Sequence, residues 1–507
     1  MHSRFLSFIV EFGVVMLLLF VANMSYAQSK PNIIVFLVDD MGWQDCSLPF
    51  DKQVSAFNKL YHTPNMERMA AHGMKFTQAY ANPVCTPTRV SLMTGINAAR
   101  HHVTNWTDVR KDNPTDVKDD VLSPPNWNYN GLDPISHTNN TIHAKALPQI
   151  LKDNGYYTIH VGKAHFASTG TPGADPINLG FMVNVAGRAQ GHPASYLGEK
   201  NYGNPADGSP STHGVQGLSS YHGTDVFLTE ALTREAIKAI DQPINDKKPF
   251  FLYLAHYAIH VPLDPDKRYL DKYLAKGLDV TEAKYAALIE GMDKSLGDIM
   301  DHVEAKGISK NTMIIFMSDN GGLSLSPPRS GKSFTHNLPL RAGKGSVYEG
   351  GIRVPMIALW PGKIHPSSVD ASPLIVEDFF PTILDAAGID KSTYEEQVDG
   401  ISFLARMKGV QKVDNKRAFI WHYPNKWINN DGPGINFFSA IRQGKWKLVR
   451  SWKTGKEELY QLENDLGEEH DLSEKFPEKR KALSTLLDEK LSEEGAQIPI
   501  KKVTSDR

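Results

Sequence analysis

The apolar positions of this chain gather into short unbroken runs more often than into alternating stripes. Asn32-Ile33-Ile34-Val35-Phe36-Leu37-Val38 carries no polar face beyond its first residue, which predicts a strand buried on both sides. The same reading applies to 157–161, 249–255, 313–317 and 356–360. Segments 65–72, 147–154, 228–241 and 283–306 instead carry apolar residues at helical spacing. Strands that alternate with helices predict an α/β fold, with a large, mostly parallel sheet sandwiched by helices. From about residue 390 the pattern shortens. Segments 418–421, 438–442, 445–450 and 458–460 read as brief strands between turns, and 475–493 as an amphipathic helix. This predicts a smaller C-terminal α+β subdomain, an antiparallel sheet plus one helix.

Polar residues follow several strand ends directly. Asp39-Asp40 follows the first, Gly162-Lys163-Ala164-His165 the second, His256 and His260 the third, and Ser318-Asp319-Asn320-Gly321-Gly322 the fourth. Open α/β sheets bind ligands beyond the carboxyl ends of their strands, so this recurrence predicts one shared site. Two stretches, 105–143 and 168–224, are rich in Gly, Pro, Asn, Ser and His. Connections this long in a compact enzyme are usually functional or disordered; here they are expected to wall a substrate pocket. Trp106, Trp127, Tyr129 and His137 in the first are candidates to meet a sugar.

The N-terminus adds an address. Arg4, an apolar stretch from Phe12 to Ala22, and Ser25-Tyr26-Ala27 before Gln28 fit a signal peptide over 1–27. The expected division is therefore 1–27 signal peptide, 28–390 catalytic domain and 391–507 C-terminal subdomain, with export to the periplasm or beyond and no stable membrane insertion. A net charge of -2 gives no global field that would select nucleic acid, so anion recognition must be local. Cys46 and Cys85 are the two cysteines. They are too few for a disulfide framework or a thiolate-rich zinc site. Asp39, Asp40, Asp319 and Asn320 are hard oxygen donors that suit calcium or magnesium.

Cys85-Thr86-Pro87-Thr88-Arg89-Val90-Ser91-Leu92-Met93-Thr94-Gly95 carries the most specific signal. Its pattern, C-x-P-x-R-x-x-L-x-T-G, resembles the signature of type I sulfatases in the alkaline phosphatase superfamily. The resemblance extends from about Lys30 to the C-terminal helix. It implies that a maturation enzyme converts Cys85 to formylglycine (3-oxoalanine). The hydrated aldehyde then attacks sulfur through one oxygen and expels sulfate through the other. It implies one calcium ion held by Asp39, Asp40, Asp319 and Asn320, with residue 85 completing the shell. Arg89 would hold the hydrate. Lys163 with His165, and Lys344 within the Gly-rich run Arg341–Pro355, match the family's anion-binding residues. His260, in His260-Val261-Pro262-Leu263, matches its general acid, and His165 would help to deprotonate the intermediate. General chemistry says only that either histidine can do either task. His256 is open between substrate contact and a structural place.

Asp39–Asp45 together with Ala99-Arg100-His101 resembles bacterial enzymes that act on galactose-type or algal polysaccharide sulfates. The expected function is thus a sulfuric ester hydrolase acting on a sulfated carbohydrate. The alternatives are a phosphoester or phosphonate hydrolase on the same scaffold and, in another class, a non-catalytic carbohydrate-binding protein.

Overall fold

The structure, a computed structural model, describes residues 30–393, 397–410 and 416–502. The expected signal peptide lies outside these residues. The main sheet is built from β1 (Asn32–Val38), β2 (Met74–Tyr80), β3 (Tyr157–Gly162), β4 (Val183–Val185), β5 (Phe250–Ala255), β6 (Thr312–Ser318), β7 (Arg353–Leu359), β8 (Ser368–Asp370) and β9 (Leu374–Ile375). Its order is β8-β2-β7-β6-β1-β5-β3-β4, with β9 beside β2. Only β7 runs against its neighbours; β6, β1, β5, β3 and β4 are parallel.

Each face of this sheet has its own core, which is why the strands read as continuous apolar runs. Ile33, Val35 and Leu37 of β1 enter one cluster and Ile34, Phe36 and Val38 the other, the period of two that a strand imposes. Seven helices matter for the argument: α1 (Pro64–His72), α2 (Cys85–Thr94), α3 (Leu147–Asp153), α4 (Leu228–Asn245), α5 (Val280–Ala305), α6 (Phe379–Ala386) and α7 (Pro477–Glu493). α2, α3 and α6 cover the first face; α1, α4 and α5 cover the second.

The C-terminal strands β10 (Ala418–Tyr423), β11 (Phe438–Gln443), β12 (Trp446–Ser451) and β13 (Glu457–Gln461) form an antiparallel sheet in sequence order. On one face Ile420, Ile441, Leu448 and Leu459 meet Leu483, Leu487 and Leu491 of α7. Those leucines are four residues apart, the spacing that aligns a helical stripe. The other face, including Trp421, Tyr423, Val449 and Tyr460, joins the core of the main sheet. The short sheet is therefore packed onto the large one over apolar side chains. No described helix is long and apolar enough to cross a membrane.

Candidate active site

Strand register assembles the site. β1 pairs with β6 so that Val38 lies opposite Ser318, and the residues that follow, Asp39-Asp40 and Asp319-Asn320, emerge side by side. On the other edge Leu37 pairs with Ala255, and Gly162 pairs with the same Ala255, so 163–165 and 256–260 emerge at that level too. Asp40 leaves the strand with φ 61°, a left-handed conformation that Asp tolerates better than most residues. Its amide donates to Asp319 Oδ1 at 3.2 Å, and the Met41 amide donates to Ser318 Oγ at 2.9 Å. Strain of this kind tends to be kept where function holds it.

Three carboxylates meet three fixed cations here. Arg89 grips Asp319 Oδ2 through Nε at 3.0 Å and Nη2 at 2.7 Å, and donates from Nη1 to the Lys163 carbonyl at 2.9 Å. Lys163 Nζ lies 2.7 Å from Asp39 Oδ2. Lys344 Nζ lies 2.5 Å from Asp40 Oδ1. These side chains are almost wholly buried. Burial would raise the Asp40 carboxyl, but Lys344, His260 and Lys163 outweigh it and hold Asp40 well below the usual carboxylate range. Asp39 goes the other way: burial and the charge of Asp319 push it well up.

Three oxygens in this cluster have no hydrogen-bond partner although they are buried: Asp39 Oδ1, Asp40 Oδ2 and Asn320 Oδ1. Orphaned buried acceptors are costly unless something else satisfies them. Ligand atoms of Asp39, Asp40 and His260 all lie within 4.8 Å of one another. A set dominated by carboxylate and carboxamide oxygen suits a hard divalent cation. The residues present therefore fit a metal ion.

Cys85 opens α2, and all ten residues of that helix are buried. A helix amino terminus carries partial positive charge, so an anion developing at residue 85 is stabilised there. Gly95, at φ 70°, ends the helix in the left-handed conformation that glycine adopts freely. Burial pushes the Cys85 thiol up despite Lys163 and Lys344, so an unmodified thiol would be a reluctant nucleophile. His165 Nδ1 sits 3.4 Å from Cys85 Sγ, and His165 Nε2 sits 2.9 Å from the Thr107 carbonyl. That carbonyl accepts the Nε2 proton, which leaves Nδ1 as a base facing residue 85. His260 is set in the same manner. Its Nδ1 donates to the Val261 carbonyl at 2.8 Å, and its Nε2 lies 3.6 Å from Asp40 Oδ2. Burial, with Lys163 beside His165 and Lys344 beside His260, holds both imidazoles well below their usual range.

A cavity of about 660 Å³ opens over this cluster, floored by Asp40, Cys85, His165, His260 and Lys344. Its walls include Trp106 to Arg110 from the first long connection and His192, Thr212 and His213 from the second, with Leu323, Leu325 and Trp427. Lys163, Arg89 and Asp319 do not line the cavity; Lys163 and Arg89 are each held by a carboxylate of the cluster and act on residue 85 by charge.

One open reading is closed and one expectation is corrected. His256 does not join the site: its ring is fully buried, bonded to Ser295 at 2.8 Å and packed on Phe36 at 5.0 Å, and burial pushes it down to about 3. Of the four candidate sugar contacts only Trp106 reaches the cavity. Trp127 is buried with its indole N–H on Asp116, Tyr129 packs on Trp127, and His137 packs at a tilt against His143. Trp427, His192 and His213 were not singled out from the sequence. No motif marks them, since their place depends on loops that meet only in three dimensions.

Fold and site together define a sulfate ester hydrolase of the α/β class. A family model described as Sulfatase matches residues 31–389, and one described as N-sulphoglucosamine sulphohydrolase, C-terminal, matches 343–497. The chain belongs to the sulfatase family. A sulfatase of Formosa agariphila is 30% identical over 495 residues, covering 89% of this chain and 86% of its own. The N-acetylgalactosamine-6-sulfatase of Mus musculus is 30% identical over 430 residues, covering 79% and 74%. Among solved structures, Ps i-CgsB in complex with k-i-k-neocarrahexaose superposes with a TM-score of 0.71 at 27% identity, over 92% of both chains.

Proposed function

We propose that this enzyme is exported, that residue 85 is converted to formylglycine by a sulfatase-maturing enzyme, that Asp39, Asp40, Asp319 and Asn320 hold one calcium ion, and that its substrate is a sulfated galactose-type or algal carbohydrate. The observation that carries the reading is the trio of orphaned oxygens beside residue 85 at the mouth of a helix. The three carboxylates balance Arg89, Lys163 and Lys344 one for one. A bound dication therefore leaves two surplus positive charges, suited to an anionic ester whose leaving oxygen gains charge in the transition state. When bound, the cation supplies Lewis-acid polarisation of the sulfuryl group. Once formed, the hydrated aldehyde supplies one oxygen that attacks sulfur and a second whose deprotonation releases sulfate.

The chain's own residues do the rest. Lys344, at the cavity floor, pairs with a sulfate oxygen. His165 Nδ1 takes a proton from residue 85. His260 lines the cavity and gives its Nε2 proton to the departing alkoxide; the incoming anionic ester favours the imidazolium that this step needs. The sugar is supported by the relatives, an N-acetylgalactosamine-6-sulfatase and a structure solved in complex with a neocarrahexaose. The chain should be co-expressed with a maturation enzyme and presented with defined sulfated galactose oligosaccharides and with nitrophenyl sulfate and phosphate. Sulfate release from the galactose series is expected; a large preference for the phosphate ester would overturn the reading.

A further inference from the structure

The cavity is larger than one sulfate group needs, and its volume lies within the range of sites that enclose an organic ligand. Beyond the floor its surfaces are of two kinds. Trp106, Trp427, Val109, Leu323 and Leu325 give it an apolar lining. Histidine gives it a polar one: His192 stacks on His260 at 5.7 Å and 4°, and His213 stacks on His192 at 4.0 Å and 15°. His192 Nδ1 donates to the Pro193 carbonyl at 3.0 Å, which leaves Nε2 free to accept.

Trp427 is built into place. Its amide and that of Ile428 donate to Asn436 Oδ1 at 2.8 and 3.3 Å, and Asn436 Nδ2 returns to the Ile428 carbonyl at 3.0 Å. Asn425 and Lys426 are tied to Asp116, the same carboxylate that holds the Trp127 indole. The Trp427 ring lies over Gly345, next to Lys344. A Cβ at Gly345 would come within 2.1 Å of that ring, so only glycine admits it.

The charge pattern restricts the occupant. Arg110 has its guanidinium on Asp108 at 3.1 and 3.2 Å, and Lys344, the other lining cation, already serves Asp40 and the sulfate being transferred. The His192–His213 stack is too close for both rings to be charged. Aromatic faces with neutral donors and acceptors match a ring that has C–H faces and hydroxyl edges; a second anion finds no unpaired fixed cation among the lining residues.

We propose that Trp106 and Trp427, with the His192–His213 pair, form a saccharide subsite for an uncharged ring joined glycosidically to the sulfated one. This rests on the sulfatase reading above. The test uses the full chain with residue 85 converted, a galactose disaccharide monosulfated on its terminal ring, the matching sulfated monosaccharide, and the disaccharide sulfated on both rings. Wild type should favour the monosulfated disaccharide over the monosaccharide by about tenfold or more in kcat/KM. Trp427→Ala and Trp106→Ala should each cut that ratio by about tenfold, mainly through KM. Trp427→Phe should keep it within roughly threefold of wild type. Mere loosening of Lys344 would slow both substrates alike and leave the ratio unmoved.

Sulfate release with no disaccharide preference, a ratio unchanged in both alanine variants, or a preference for the doubly sulfated disaccharide would each overturn the subsite while leaving the sulfatase reading intact. No release from any of the three, with conversion of residue 85 verified by mass, would overturn both.

Discussion

Asp319 accepts two hydrogen bonds from Arg89 through one oxygen and one from the Asp40 amide through the other. It orients the acid pair as well as being a proposed ligand. Asp319→Ala should therefore weaken divalent-cation binding, read by calorimetry, by more than the roughly 10–100-fold typical of losing a supporting contact. His260 divides the substrates by leaving group. His260→Gln should lower kcat on a sugar sulfate by about 10²–10⁴-fold, and far less on nitrophenyl sulfate, whose phenolate departs without a proton. Equal losses on both would remove His260 from the acid role. Asp39-Asp40 and Asp319-Asn320 were readable in the sequence because each follows its own strand without a break. His256 follows a strand just as closely, yet it faces α5 and Ser295 rather than the cavity. A single step of strand parity decides that, and no sequence pattern records it.

At the scale of elements, the least legible piece was α2. A helix with all ten residues buried shows no polar stripe, so nothing in its periodicity separates it from a strand or a loop. α1 shows how neighbours complete each other. Thr63 makes no side-chain cap, and the carboxylate of Asp293 on α5 does that work, accepting from the Asn65 amide at 3.0 Å and the Met66 amide at 2.8 Å. Asp293→Ala should cost about 1–2 kcal/mol in denaturant unfolding. Glu377, two residues before α6, is pushed up to about 8 by burial and by Asp378. Its ordinary value is 4.5, so between these pH values the folded state binds the extra proton and stability falls as pH rises. Glu377→Gln should flatten that slope in melts taken from pH 5 to 9.

At the scale of the whole molecule, the two sheets are joined by charge as well as by apolar packing. Lys447 on β12 is fully buried between Glu349, 2.9 Å away, and Glu468, 2.8 Å away. Glu349 lies within the Gly-rich run that carries Lys344. Lys447→Met would leave buried Glu468 without its cation and Glu349 with Arg353 alone, and should destabilise the fold by about 3–5 kcal/mol. The C-terminal sheet and its helix could be read as elements, since their strands and leucine stripe are local. Their partnership with the site could not, because Trp427 meets Gly345 only after both sheets have packed. The central claim of the account is chemical and sits at residue 85. Peptide mass spectrometry of enzyme that is releasing sulfate tests it most directly. The account predicts that the peptide spanning Cys85 carries the aldehyde in place of the thiol; active enzyme whose residue 85 is still wholly cysteine would contradict it.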